Sequence, residues 1–348
     1  MTLARRPAVI AATCVVVVLA IAGCATSSSS TPSLPVVTPA APAATAVPSR
    51  SPGVTSPAES AMPGPSLPPA SSFPLVNSCD PSSVPWAIPV TAPASGRDSS
   101  FALQVPILMY HRIVPLAEAG DSLRGLVVPP ETFAAQLDAL GRAGWHTITM
   151  AALANDLQAH LRPPARTFVI TIDDGWDDGY RYALPILQDH GFVATYYVIA
   201  SRIDTPGFLS SAQLQALVAA GDEIGDHTMD HVSLARLPSA RLTFEIDAAA
   251  ARIAQVTGRW PESLAYPFGG LDHNAAAAVE ACQELRIAVA EVVLVLDKPA
   301  ASQTPGPTDM PLVSETWVNR FDVPRLRVNP DTTPADLLAE LDRYQSAA

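Results

Sequence analysis

The sequence predicts an α/β fold, a closed barrel of parallel strands and helices, preceded by an export signal and a linker without a core of its own. Over residues 101–348, short apolar runs alternate with amphipathic stretches, the pattern of strands joined by helical crossovers. About seven or eight such units in roughly 240 residues have the size of a closed α/β barrel. The first 100 residues hold 17 of the 35 prolines, and the segment from residue 25 to about residue 74 cannot build a core.

The first 24 residues have the parts of an export signal. Arg5 and Arg6 precede an uncharged apolar run over residues 8–22, which is shorter than the roughly 20 residues of a membrane-spanning helix. The segment Ile21-Ala22-Gly23-Cys24 at the end of this run resembles the bacterial lipobox. The resemblance implies cleavage before Cys24, a diacylglycerol on its sulfur and a location at the extracytoplasmic face of the cell membrane. The alternative is an ordinary signal peptide with an incidental cysteine.

Residues 25–100 are predicted to be a disordered linker. Ser, Thr, Pro and Ala dominate it, and Arg50 and Glu59 are the only charged residues in its first half. Such a chain extends as a stalk, and the same composition permits an O-glycosylated stalk. Cys79 and Cys282 remain in the mature chain, and they are predicted either to form one disulfide in an oxidising compartment or to be two buried thiols.

Charge and missing motifs exclude several classes of function. The chain has 33 acidic and 21 basic side chains, a net charge of −12 and no basic run, which excludes nucleic-acid binding. Its one lysine, Lys298, does not end a glycine-rich phosphate-binding loop. The chain also lacks the Gly-x-Ser-x-Gly turn of serine hydrolases.

The elements of the predicted barrel alternate along the chain. Apolar runs predict the strands, and apolar residues three or four positions apart predict the helices, as for Leu137 and Leu140. Because the carboxyl ends of parallel strands meet on one face of a barrel, we expect the chemistry there. The predicted strands are residues 105–110, 146–150, 167–172, 193–199, 223–225, 264–266 and 287–296; the predicted helices are residues 130–143, 151–161, 179–190, 211–220, 239–256, 274–285 and 331–344, and residues 304–307 are a loop.

Two adjacent carboxylates, Asp173 and Asp174, follow the predicted strand at residues 167–172. Adjacent carboxylates repel each other, so one takes up a proton unless a positive group binds beside them. The alternative is a solvated Asp-Asp-Gly turn. The motif by itself indicates either a cation site or a turn.

Two histidines four residues apart, His227 and His231, follow the predicted strand at residues 223–225. If this segment is a helical turn, both imidazoles lie on one face and reach one cation. The alternative is a pair of surface histidines. The chain has seven histidines, and two at ligand spacing beside a strand end favour a metal site.

A third segment, Tyr266-Pro267-Phe268-Gly269-Gly270, also lies at a strand end. Its two glycines permit close approach of the backbone to a ligand, and the Phe268 N–H is predicted to donate to an oxyanion. Taken alone, such a segment is typical of many loops.

In this order the three motifs resemble the polysaccharide deacetylases of carbohydrate esterase family 4, the NodB-like domain. Residues 107–113 are similar to the opening strand of the poly-N-acetylglucosamine deacetylase subgroup, and the resemblance covers about residues 103–330. It implies a distorted (β/α) barrel with one divalent metal ion, usually zinc. It also implies a hydrolase that removes acetyl groups from the N-acetylated amino sugars of a cell-wall or surface polysaccharide.

The resemblance assigns roles to single residues. Asp174, His227 and His231 would be the metal ligands, and Asp173 would be the general base that takes a proton from the attacking water. The oxyanion would lie between the metal and the N–H of Phe268.

The sequence departs from the family at two positions. No histidine follows His273, so the family's late histidine, its general acid, has no counterpart. Ala265 stands where the family has an arginine that opens the third motif. We hypothesise that Arg325 reaches back to Asp173 in place of that arginine. We also hypothesise that His111 supplies the acid or orients the substrate, although it is equally interpretable as a core histidine.

Trp176 directly follows Gly175 and is predicted to be a platform for a sugar ring, while Tyr266, Pro267 and Phe268 are predicted to border the substrate and the oxyanion. We expect a monomer. O-acetyl ester deacetylation of a glycan is one rival function, because an ester has a better leaving group than an amide. A catalytically impaired glycan-binding lipoprotein is the other rival.

Overall fold

The computed structural model of the chain describes residues 79–84, 87, 101–295, 313–314 and 320–347. The predicted signal peptide, most of the predicted linker and the predicted loop at residues 304–307 lie outside the described residues. Among the residues that are described, no helix is long and apolar enough to cross a membrane.

The strands form one large parallel sheet and two short pairs. The large sheet closes on itself, because its first strand pairs with both the last strand and the strand at residues 167–172. The strands are β1 (Ala102–Leu103), β2 (Ile107–Tyr110), β3 (Arg112–Ile113), β4 (Val127–Val128), β5 (His146–Ile148), β6 (Thr167–Ile172), β7 (Thr195–Val198), β8 (Glu223–Asp226), β9 (Ser263–Ala265), β10 (Ile287–Val295), β11 (Val313–Ser314) and β12 (Val323–Arg327).

Within the described residues, seven parallel strands make a closed ring in the order β2-β12-β10-β9-β8-β7-β6. Strand β5 pairs only with the first half of β6, beside the ring. The short strands pair as β1 with β11 and β3 with β4. The predicted closed (β/α) barrel is therefore confirmed.

Eight helices of the described residues surround the ring, and two of them contain or follow a π-helical turn. Their ends follow local rules: α4 begins with a capping box between Ser210 and Gln213 and ends at the left-handed Gly221. The helices are α1 (Pro130–Arg142), α2 (Met150–Gln158), α3 (Leu184–His190), α4 (Ser211–Ala220), α5 (Ser239–Thr243), α6 (Ala249–Thr257), α7 (His273–Ala281) and α8 (Pro334–Ala347); the π-helical turns are Gly179–Ala183 before α3 and Phe244–Ala248 between α5 and α6.

Strand β12 has no counterpart among the predicted strands. Pro324 lies within it, paired in register with Ala290 of β10. A proline is unfavourable inside a strand because it cannot donate a ladder hydrogen bond, and its presence hides the strand pattern. The barrel nevertheless closes through this strand, which joins β10 to β2.

Apolar side chains fill the barrel and the layer between the barrel and its helices. Outside the ring, Leu108 of β2 and Ile170 of β6 pack with Phe133 and Leu137 of α1, and all four are fully buried. Burial of each such side chain contributes about 1.5–3 kcal/mol. The side chains inside the ring include Ile107, Val169, Tyr197, Ala265, Ile287, Val289 and Val323.

The folded domain begins before residue 101, where the predicted linker ends. Cys79 and Cys282 form a disulfide whose Cα atoms are 5.4 Å apart. Val84 and Ala87 are buried in a core cluster that also contains Cys282. Cys79, Val84 and Ala87 are therefore part of the packed domain, and of the two states predicted for the cysteines the structure has the disulfide.

Candidate active site

The predicted site residues gather at the carboxyl ends of neighbouring strands. Asp173 and Asp174 follow β6, and His227 follows β8. His111 follows β2, whose last residue pairs in register with the last residue of β6. Arg325 lies within β12, next to β2 in the ring. The closed sheet thus brings together residues that are up to 214 positions apart (325 − 111).

Asp174, His227 and His231 form a group that matches a metal site. One ligand atom from each residue lies within 4.8 Å of the others. Oδ1 of Asp174 is 3.5 Å from Nε2 of His227 and 3.3 Å from Nε2 of His231. One carboxylate and two imidazoles are a donor set that suits zinc.

The two histidines lie in a loop after β8 and not on a helical turn. Thr228 and His231 have left-handed backbone angles, with φ of 65° and 57°. The hydroxyl of Thr228 accepts a hydrogen bond from the N–H of His231 at 3.1 Å. The loop, and not helical spacing, therefore brings His231 to the same side as His227.

The hydrogen bond of His227 fixes its tautomer. Nδ1 of His227 lies 2.7 Å from the carbonyl oxygen of Ala265. A carbonyl only accepts, so Nδ1 carries a hydrogen, and in the neutral imidazole that binds a metal the lone pair lies on Nε2, on the side of Asp174 and His231. This second hydrogen bond is typical of metal-ligating histidines, and it supports the assignment of the three residues as a metal site.

Burial and the neighbouring charges shift the pKa values of the three candidate metal ligands. Burial alone would raise the pKa of Asp174, but the hydrogen bond and charge of His227 hold it well below its ordinary value. Burial lowers the pKa of His231, and the charge of His227 adds to this effect. The carboxylate is therefore ionised and ready to bind a cation.

Asp173 forms a bidentate ion pair with Arg325. The two guanidinium Nη atoms donate to Oδ1 and Oδ2 of Asp173, each at 2.7 Å. Arg325 and Asp173 are only 1% and 2% exposed, and Nη1 also donates to Thr171 Oγ1 at 3.0 Å. Burial would raise the pKa of Asp173, but the charge and hydrogen bonds of Arg325, together with the charges of His227 and His111, lower it below its ordinary value. The contact is the one hypothesised for Arg325 from the sequence.

His111 lies beside the two carboxylates. Tyr110 pairs with Ile172, so His111 and Asp173 are next to each other at the ends of β2 and β6. Burial lowers the pKa of His111, while the charges of Asp173 and Asp174 act in the opposite direction. Within the described part of the chain, its imidazole forms no hydrogen bond to the backbone, unlike a core histidine.

The segment after β9 brings one of its three predicted residues to the surface. Phe268 is 68% exposed, has a φ of 57°, and its ring lies 4.7 Å from that of His231. The turn with the predicted oxyanion donor therefore borders the metal ligands. Tyr266 is 1% exposed and Pro267 is buried, so, contrary to the sequence prediction, their side chains lie beneath the surface that Phe268 reaches.

Trp176 lies beside the metal group in an arrangement that differs from the predicted sugar platform. The Arg112 guanidinium lies 4.3 Å from the ring centroid, and the Phe208 ring stacks at 4.4 Å. Two groups at these distances cannot share one face of the indole. Both faces of Trp176 are therefore covered, and a sugar ring cannot stack on either, which corrects that part of the prediction.

Glu245 is a supporting residue that sequence analysis missed. It is fully buried in the π-helical turn between α5 and α6. Its carboxylate accepts from the N–H of Asp230 at 2.9 Å, and its carbonyl accepts from the N–H of Met229 at 2.9 Å. These bonds hold the loop between His227 and His231. A π-helical turn often marks a functional site, but no sequence signal distinguishes it from an ordinary helix.

Comparisons with known proteins agree with this geometry. The family model described as polysaccharide deacetylase matches residues 160–284. YxkH of Bacillus subtilis (strain 168), which carries the name of a polysaccharide deacetylase, is 29% identical over 177 residues. The match covers 51% of this chain and 61% of YxkH, so the chain spans less than two thirds of that relative.

Solved structures of deacetylases share the fold. A Streptococcus pyogenes deacetylase, PplD, in complex with acetate, has a TM-score of 0.58 and 22% identity, and the match covers 69% of this chain and 99% of PplD. BC0361, a polysaccharide deacetylase from Bacillus cereus, has a TM-score of 0.57 and 23% identity, and the match covers 69% of this chain and 70% of BC0361.

Proposed function

We propose that the polysaccharide deacetylase domain of this chain is a zinc-dependent hydrolase that removes acetyl groups from N-acetylated amino sugars of a cell-wall or surface polysaccharide. The single observation that supports this most is the pairing of two differently held carboxylates. Asp174 faces two imidazoles, as a metal ligand does, while its neighbour Asp173 is ion-paired with Arg325. The three candidate metal ligands and a separate candidate base, Asp173, thus lie next to each other.

The residues of the chain divide the reaction among them. Asp174, His227 and His231 would hold the metal, which supplies Lewis acidity to the acetyl carbonyl and to water. Asp173 takes the proton of the attacking water, and Arg325 holds its carboxylate in one orientation. The N–H of Phe268 donates to the oxyanion that develops on the carbonyl. His111, beside Asp173, protonates the leaving nitrogen.

Acetate release tests this function. The full chain is incubated with N-acetylglucosamine oligomers, with added zinc and with a chelator, and acetate is measured. We expect release that the chelator stops and that Asp173→Asn removes. If the chain is folded and zinc-loaded, releases no acetate from any acetylated substrate and only retains the glycan, the proposed activity is wrong. The chain would then be a glycan-binding module.

O-acetyl ester deacetylation is a second candidate, and one observation favours it. No histidine follows His273, so the site lacks the late acid that an amide leaving group needs more than an alkoxide does. An acetyl ester substrate, measured beside the oligomers, separates the two functions. Release from the ester alone would assign the chain to esterases.

We further propose that the protein is a monomeric lipoprotein, anchored through Cys24 on the extracytoplasmic face of the cell membrane. The lipobox-like segment before Cys24 supports the anchor. The disulfide between Cys79 and Cys282 supports an oxidising compartment. Metabolic labelling with a fatty acid should mark the wild type and not Cys24→Ala; equal labelling of both would contradict the anchor.

A further inference from the structure

The two carboxylate oxygens of Asp174 have different partners. Oδ1 faces Nε2 of His227 and Nε2 of His231, at 3.5 and 3.3 Å. Oδ2 accepts a hydrogen bond from the indole Nε1–H of Trp176 at 3.1 Å. The indole edge therefore holds the oxygen that does not face the imidazoles.

The backbone between these residues makes this hydrogen bond possible. Asp174 and Gly175 are both left-handed, with φ of 75° and 73°, so the chain reverses and brings the side chain of Trp176 back onto Asp174. At Gly175 a Cβ atom would lie 3.2 Å from the backbone Cα of Val198, closer than an ordinary van der Waals contact, and the positive φ itself favours glycine.

Backbone hydrogen bonds then fix the position of Trp176 against Phe208. The two residues form an antiparallel bridge. Leu209 N–H donates to the Gly175 carbonyl at 2.9 Å, and Asp177 N–H donates to the Gly207 carbonyl at 3.0 Å. The stacking of Phe208 on the indole is thus held by the chain on both sides.

A buried ion pair fixes the group on the other face of the indole. Arg112, which lies over that face, donates from Nε to Oδ2 of Asp178. Asp178 is fully buried and its Oδ1 also accepts from the N–H of Ile113 at 3.3 Å. Because Asp178 holds Arg112, and Arg112 and Phe208 enclose Trp176, the indole cannot rotate away from Asp174.

We propose that Trp176 is a positioning residue for Asp174, whose indole N–H restrains Oδ2 so that Oδ1 alone is presented to the cation beside His227 and His231. The inference rests on the proposed metal-dependent function. It assigns to Trp176 a role in metal binding and not in sugar stacking. Outer hydrogen bonds of this kind to a ligating carboxylate typically affect metal affinity 10–100-fold.

Zinc affinity of the full chain tests the proposal. The metal-free protein is titrated with zinc against a competing chelator, for the wild type, Trp176→Phe and Trp145→Phe. Phenylalanine at residue 176 keeps an aromatic ring between Arg112 and Phe208 but removes the N–H, so we expect zinc binding to weaken about 10–100-fold.

Trp145→Phe is the matched control. Trp145 is a buried tryptophan in edge-to-face contact with an aromatic ring, Phe168, and it lies before β5, away from the strand ends that hold the site. Its Nε1 has no hydrogen-bond partner among the described residues. Zinc affinity of this variant should equal that of the wild type.

A second measurement needs no variant. In the wild type, zinc should shift the ¹⁵N–¹H resonance of one indole, that of Trp176, and leave that of Trp145 in place. Equal zinc affinity of the wild type and of folded Trp176→Phe would overturn this inference alone. Zinc binding to the wild type without a shift of the Trp176 indole resonance would do the same. A wild type that binds no zinc would overturn both this inference and the proposed function.

Discussion

The barrel holds carboxylates at both ends of its strands, and the carboxylates at the two ends have different hydrogen-bond partners. At the amino end, the partly buried Glu223 begins β8, and its hydrogen-bond donors among the described residues are neutral: Ser263 Oγ at 2.7 Å, Thr195 Oγ1 at 3.0 Å and Ala151 N–H at 2.7 Å. Burial raises its pKa. At the carboxyl end, Asp173 has a charged partner, Arg325, that lowers its pKa.

The backbone conformation of Glu223 also differs from that of the candidate site residues. Glu223 lies within a regular strand, whereas Asp174, His231 and Phe268 all have positive φ values. Non-glycine residues in this region cost about 1–3 kcal/mol each and persist where the surrounding structure enforces them. Buried carboxylates alone therefore do not identify a site, and Asp173 differs from Glu223 in that a charged side chain donates to both of its oxygens.

The largest expected effect compares Asp173 with Glu223. Asp173→Asn removes the candidate base, so we expect the rate of acetate release to fall about a thousandfold. Glu223→Gln keeps an acceptor for the same neutral donors and should change the rate less than about twofold while lowering stability. Acetate release and thermal unfolding of both variants measure this; equal losses of rate would remove the distinction between the two ends.

Arg325 should matter for both activity and stability. Arg325→Met leaves the carboxylate of Asp173 buried without its charged partner, which typically costs about 3–5 kcal/mol of unfolding free energy. We expect the rate to fall roughly 100-fold. Arg325→Lys keeps the charge but not the bidentate geometry, so its rate and its unfolding free energy should lie between those of the wild type and Arg325→Met. Urea unfolding and acetate release measure these effects, and a wild-type rate in Arg325→Met would exclude a role in orienting Asp173.

Asp222 extends the comparison to pH. It lies just before β8, is 7% exposed, and its Oδ1 accepts from Ala194 N–H at 2.8 Å. Burial raises its pKa from 3.8 to about 6, so the folded state holds the proton more tightly than the unfolded state. The carboxyl group of Asp222 therefore makes its full contribution to the unfolding free energy below about pH 4, and this contribution is lost as the pH rises through about 6.

The loss attributable to Asp222 is up to about 3 kcal/mol, at about 1.4 kcal/mol per pKa unit. Asp222→Asn should flatten the fall in unfolding free energy between about pH 4 and pH 6. Chemical denaturation at a series of pH values measures it. The same slope in the wild type and the variant would show that burial of this carboxylate does not control stability.

His111 gives the smallest expected effect. His111→Asn should slow acetate release about tenfold from the amide substrate and less from an acetyl ester, because the alkoxide needs less protonation. His190→Asn is the control, since His190 is bound to Asp138 at 3.0 Å on the helical layer. The ratio of amide to ester rates measures the effect, and an unchanged ratio would exclude His111 as the acid.

Much of the fold follows from local sequence patterns. The strand over Thr167–Ile172 agrees with its prediction at both ends, because a run of buried β-branched residues has one clear length. Strand β12 was not predicted, since Pro324 interrupts its pattern and its pairing depends on β10 and β2 far along the chain. Tertiary closure, and not propensity, makes this segment a strand.

Site residues were predictable where a motif is local. Asp173 and Asp174 are adjacent and His227 and His231 are four residues apart, so each pair was found from the sequence, although a loop and not the predicted helical turn brings the two histidines together. The stacking of Phe208 on Trp176 joins residues 32 positions apart (208 − 176), and nothing in either segment signals it. The sugar platform predicted for Trp176 failed for this reason, because exposure of an indole face depends on distant partners.

Zinc dependence of acetate release tests the central claim most directly. The full chain is freed of metal, and release from N-acetylglucosamine oligomers is followed as zinc is added. We predict no release without metal and a rate that saturates at one zinc ion per chain, with Asp173→Asn inactive at every zinc level. Release that persists in the metal-free chain, or saturating zinc without release in the wild type, would contradict the account.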